Sequence, residues 1–125
     1  MRAALLLVLL AGCGGSRAMV GAPGTNASYP IELFAHEGTL IVRVQQPGGS
    51  NVVVYGPTVE RGQVVVEAGL WSGGNRGEQV QCFDVAQLAP PTDWIDRVVW
   101  RDHEGGLTPV HVARGDAALT ARCAR

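Results

Sequence analysis

The chain has 125 residues, a formal net charge of −1 and an apolar share of 46%, with 17 glycines and 7 prolines. That length suits one small domain, and the apolar share permits a buried core. The near-neutral balance excludes a strongly cationic nucleic-acid binder, and the absence of lysine beside 10 arginines reads as base composition without functional content.

Arg2 precedes an unbroken apolar run from Ala3 to Ala11, and Gly12 then leads into Cys13. The run is too short to span a bilayer as a mature helix, so residues 1–12 read as an export signal. Leu10-Ala11-Gly12-Cys13 resembles the lipobox of bacterial lipoproteins. The resemblance implies that Cys13 is acylated, becomes the mature N-terminus and ties the chain to the membrane, each buried methylene contributing about 0.8 kcal/mol. An ordinary cleaved signal with a cysteine nearby is the alternative. If the envelope is Gram-negative, Gly14 after Cys13, in place of the aspartate associated with inner-membrane retention, resembles an outer-membrane lipoprotein.

Residues 13–28 are small, polar and without hydrophobic period, which predicts a flexible tether reaching roughly 20 Å. Asn26-Ala27-Ser28 matches a glycosylation sequon that a bacterial chain would not use. From Tyr29 to residue 125 short β-branched runs alternate with Gly and Pro clusters. Alternation predicts strands over 29–36, 39–46, 51–55, 63–70 and 78–85, then 97–102 and 108–113. Leu40, Val42 and Val44 share one face; Val64, Val66 and Ala68 share another. Glu37-Gly38 makes a turn, Gly56-Pro57 and Arg61-Gly62 bracket a connection, Thr92–Asp96 makes a helical turn, and Glu104-Gly105-Gly106-Leu107 reads as a two-residue hairpin.

The hairpin register would set Trp100 opposite His111 and His103 opposite Thr108. Asp116–Cys123 is expected as a strand pointing Cys123 inward, with a helix capped by Asp116 as the alternative. The result is an all-β fold, a small antiparallel β-sandwich of seven or eight strands, with a small β-barrel as the alternative.

With Cys13 committed to lipid, Cys82 and Cys123 remain, and outside the cytoplasm such a pair predicts a disulfide. Two isolated thiols without CxxC or paired histidine spacing do not make a zinc site, and no metal or cofactor is expected. Trp71-Ser72-Gly73-Gly74 resembles the serine segment of trypsin-like proteases, yet tryptophan stands where aspartate is required and no histidine motif accompanies it. No G-x-S-x-G elbow occurs. Asp102, His103, Glu104 and His111 are read as turn and packing residues, and Arg114-Gly115-Asp116 as a turn. Trp71 is expected to end the fourth strand in the core. If exposed, it would form a binding surface with Asn75 and Arg76 that stacks on a sugar or anchors a partner.

The functional expectation is a non-catalytic binding or assembly module on the envelope, holding the membrane through its lipid and another envelope protein through a patch or sheet edge near Arg43, Arg97 and Arg101. A ligand-binding, glycan-binding or hydrolytic domain near Trp71 or His103 is the alternative.

Overall fold

Period-two burial drives the architecture. In β3 the side chains of Leu40, Val42 and Val44 are fully buried on one face, and each such apolar side chain contributes about 1.5–3 kcal/mol on leaving water. The computed structural model describes residues 18–23, 30–102 and 104–124. Its strands are β1 (Ala18–Met19), β2 (Ile31–His36), β3 (Thr39–Gln46), β4 (Ser50–Glu60), β5 (Gln63–Ser72), β6 (Gly77–Asp84), β7 (Val98–Arg101), β8 (Leu107–Pro109) and β9 (Val112–Arg114). The expected signal segment and Cys13 lie outside the described residues.

Two sheets stack as a sandwich and do not close into a barrel. In the first sheet β5 is central. β4 pairs along one edge, while β7 and β1 share the other, and β8 pairs with β7. The second sheet runs β6-β3-β2-β9. Most ladders are antiparallel, as expected, but β5–β7 and β2–β9 are parallel. Between the sheets lie Leu33, Val42, Val44, Val52, Val64, Val66 and Trp100. The Trp100 indole, fully buried, donates to the Val20 carbonyl at 2.8 Å.

Part of the expected tether belongs to this fold. Ala18 and Met19 pair with Leu70 and Gly69, Val20 donates its N–H to Ala68 at 2.9 Å, and Val20 and Ala22 are buried. Gly56-Pro57 does not end a strand either, because β4 runs through it with a register shift between Tyr55 and Thr58; an irregular edge strand tolerates glycine and proline.

The β7–β8 register also differs from the expectation. Trp100 faces Thr108 and Arg101 faces Leu107, because Asp102 builds a wider loop: its Oδ1 accepts from the N–H groups of Glu104 and Gly106, both at 2.9 Å. The expected strand over 108–113 is two strands in different sheets: β8 ends at Pro109, Val110 N–H still donates to the Val98 carbonyl of β7 at 3.1 Å, and β9 then pairs with β2.

At the C-terminus a helix, α1 (Ala117–Ala121), and a 3₁₀ turn (Arg122–Ala124) replace the expected strand. Asp116 caps the helix, its Oδ1 accepting from Leu119 N–H at 2.8 Å. Cys82 and Cys123 form the predicted disulfide, with Cα atoms 5.6 Å apart. Cys82 lies opposite Ile41 in the ladder, so the bridge sits on the outer face of the second sheet, not inward as expected.

Candidate functional site

Two connections meet at one end of the sandwich, Pro47–Gly49 between β3 and β4 and Gly73–Arg76 between β5 and β6. They are laced together by backbone bonds: Gly73 N–H donates to the Gly49 carbonyl at 2.9 Å, and Gly49 N–H donates to the Gly74 carbonyl at 3.2 Å. Gly73 and Gly74 hold φ of 94° and 93°, which side-chain-bearing residues rarely adopt. Arg76 adds a bond from Nε to the Pro47 carbonyl at 3.4 Å.

Under these loops lies a cavity of about 330 Å³ whose side-chain lining is Gln46, Asn51, Asn75, Arg76, Glu78 and Gln79. Gln46, nearly fully buried, forms its inner wall. Its Nε2 donates to Gln79 Oε1 at 2.6 Å, and its Oε1 accepts from Val52 N–H at 2.9 Å. Glu78 is bound by Arg122 and by Gln45 Nε2 at 3.5 Å. Neutral amides, one guanidinium and one engaged carboxylate make a lining suited to hydrogen-bonding a polar ligand.

Of the residues singled out in the sequence, Asn75 and Arg76 line this cavity, whereas Trp71 does not. Trp71 is 44% exposed on the outer face of the first sheet. β5 buries Val64, Val66 and Ala68, so the residue after Leu70 must point outward. Asn51 connects the two features, lining the cavity and lying opposite Trp71 in the ladder. Trp71 Nε1 donates to Tyr55 Oη at 3.2 Å. Tyr55 reaches it across Gly69, where a Cβ would run into the tyrosine hydroxyl. The two aromatics therefore share a small platform that exists because Gly69 has no side chain.

Gln46, Asn51, Gln79 and Tyr55 escaped the sequence reading. Gln46 had a signal, since it continues the inward period of Leu40, Val42 and Val44.

The second candidate area does not converge. The Asp102 carboxylate is engaged in its own loop, and His103 lies outside the described residues. His111 is exposed beside a separate cavity of about 260 Å³ that Phe34 and Glu32 also line. Among the described residues no three His, Cys, Asp or Glu side chains group to hold a metal. Arg43, Arg97 and Arg101, expected to select a partner, hold internal carboxylates. Arg43 binds Glu32 at 2.7 Å, Arg97 binds Asp93 at 3.0 Å and Arg101 binds Glu60 at 2.7 Å.

No protein-family model, curated protein or solved structure matches the chain.

Proposed function

We propose that this chain is a lipid-anchored lipoprotein of the bacterial envelope whose β-sandwich is a binding or assembly module, placed at the outer membrane where the envelope is Gram-negative. The reading is carried by the apolar run that ends in Leu10-Ala11-Gly12-Cys13. The Cys82–Cys123 bridge supports it, because disulfides persist in oxidising compartments. Cys13→Ser should move the protein from the membrane fraction to the soluble fraction and abolish incorporation of labelled fatty acid. Retention of the label in that variant would refute the anchor.

A companion protein recovered in stoichiometric amount with the tagged, lipidated chain from solubilised envelopes would support the assembly role. A second reading, a small polar ligand or glycan, is favoured by the amide-lined cavity at Asn51, Asn75 and Arg76. It predicts that Asn75→Ala or Arg76→Ala abolishes saccharide-induced NMR shifts of the Gln46 and Gln79 side-chain amides. Finding no such shifts with the wild-type chain would leave the cavity without this role.

A further inference from the structure

Acylation of Cys13, on which the following rests, decides which end of the sandwich meets the membrane. β1 is antiparallel to β5, with Ala18 opposite Leu70 and Met19 opposite Gly69. Followed back toward its start, β1 points along β5 toward Trp71, Ser72 and the laced loops. Only five peptide steps separate Ala18 from Cys13, and an extended chain covers at most about 3.6 Å per residue, so the acyl chains lie within roughly 18 Å of Ala18. A domain of about 100 residues has a radius of gyration of about 13 Å and a width of roughly 30 Å. The linker is shorter than the domain, so the opposite end cannot be turned onto the bilayer.

The chemistry of the near end fits an interface. Trp71 is 44% exposed, whereas Trp94 and Trp100 are 7% and 0% exposed. Its N–H is turned to Tyr55 at 3.2 Å. An exposed indole and a phenol are side chains that settle in the headgroup layer, having an apolar body and a polar edge. The connections Pro47–Gly49 and Gly73–Arg76 contain no carboxylate, and their one charged side chain is the exposed cation Arg76, which anionic headgroups attract.

We infer that this end lies against the leaflet that holds the Cys13 acyl chains, with Trp71 in the headgroup layer and Arg76 facing lipid phosphate. The domain is thereby held in one orientation by a second, non-covalent contact.

The test uses the full chain, expressed with its signal and reconstituted into vesicles of phosphatidylethanolamine and phosphatidylglycerol with acyl chains brominated near the carbonyl. The fluorescence assigned to Trp71 is the difference between wild type and Trp71→Phe. That component should shift to the blue, lose intensity to the brominated chains and resist quenching by aqueous iodide. Intact mass and vesicle flotation report the anchor separately. An acylated, floating protein whose Trp71 emission remains open to iodide and untouched by bromine overturns the orientation alone, and leaves the indole to a soluble partner. A chain without acyl mass that fails to float overturns the lipoprotein reading, and the orientation with it.

Discussion

The side-chain amide of Gln46 pairs with the backbone of Val52 as a neighbouring strand would. Its Oε1 accepts from Val52 N–H at 2.9 Å, and its Nε2 donates to the Val52 carbonyl at 3.3 Å. Gln81 extends the arrangement, accepting from Val54 N–H at 2.8 Å and donating to the Val52 carbonyl at 2.9 Å. β4 is an edge strand of the first sheet, and β3 and β6, which supply the glutamines, belong to the second. The two amides therefore satisfy an otherwise open edge from across the sandwich, which also withholds that edge from another chain. Gln46→Leu keeps the volume but strands the Val52 N–H, at a cost of about 1–3 kcal/mol in urea unfolding. Hydrogen exchange at Val52 should accelerate by a larger factor than at Val66 in the centre of β5. Equal acceleration at both positions would mean that Gln46 acts only through global stability.

Gly69 and Tyr55 should be energetically coupled. Gly69→Ala places a methyl group where the Tyr55 hydroxyl lies, so the ring must move and its bond from Trp71 is lost. Overpacking of this kind costs typically about 1–3 kcal/mol. In the Tyr55→Ala background the same substitution meets no such obstacle and should cost far less. A double-mutant cycle on urea midpoints reads the difference. A coupling near zero would show that the sheet absorbs the methyl group by another route.

The parts of this fold that follow local periodicity were legible in the sequence, and the parts built by single side chains or distant pairings were not. Leu40, Val42 and Val44 announced β3, and the cysteine count announced the Cys82–Cys123 bridge. The same period, extended one step, places Gln46 inside, but a polar residue conceals its own burial until its partner across the sandwich is known. Asp102 widened a loop that its glycines made look like a tight hairpin. Gly56-Pro57 resembled a turn and is a bulge. Leu119, Ala121 and Cys123 alternate like a strand, yet Asp116 caps a helix whose residues suit either state. In the candidate site, Asn75 and Arg76 were visible from the glycine-rich loop around them. Asn51 and Tyr55 depended on the β4–β5 register, which no local pattern encodes.

The disulfide should contribute substantially to stability. Cys82 and Cys123 are 41 residues apart, and closing a loop of that size restricts the unfolded chain by about 4 kcal/mol in the chain-entropy account. Reduction should lower the unfolding temperature markedly, and Cys82→Ser should do so without any reductant. In that variant the Cys123 thiol should become reactive toward a maleimide under native conditions. An unchanged unfolding temperature after verified reduction would show that strain or residual unfolded structure cancels the entropic gain.

Acid should remove the contribution of Glu60. Its carboxylate accepts from Thr58 Oγ1 at 2.6 Å and from Arg101 Nη2 at 2.7 Å, and these bonds, Thr58 first, hold its pKa below the usual glutamate range. Arg97 lowers Asp93 in the same way. A carboxyl whose pKa is depressed by folding contributes stability above its unfolded value, about 4.3 for glutamate, and loses it as pH falls through the folded value. The stability difference between wild type and Glu60→Gln should therefore be constant near neutral pH and shrink below about pH 4. The pair is exposed, so the effect is small and screened by salt. NMR titration of Thr58→Ala should show the Glu60 pKa moving upward; an unmoved value would assign the depression to Arg101 alone.

The two tight hairpins separate backbone strain from packing. Glu37-Gly38 and Arg61-Gly62 hold φ of 47° and 83°, and of 53° and 76°, between the closing pairs His36–Thr39 and Glu60–Gln63. Both are two-residue turns in the left-handed region, where asparagine is better tolerated than glutamate or arginine at the first position. Glu37→Asn and Arg61→Asn should each stabilise by some tenths to about 1 kcal/mol. The glycines should not respond alike. Alanine at either position meets the left-handed penalty of about 1–2 kcal/mol, but at Gly62 the nearest atom to the new Cβ is Arg97 Nη1 at 3.8 Å, whereas at Gly38 it is the Ala86 Cβ at 3.1 Å. The Gly38 carbonyl also accepts from the N–H groups of Val85 and Ala86, at 2.9 and 3.1 Å. Gly38→Ala should therefore lose clearly more stability than Gly62→Ala, and Gly38→Ala combined with Ala86→Gly should recover the excess. Equal losses at the two turns would show that the chain after β6 yields to the methyl group, leaving backbone strain as the whole cost.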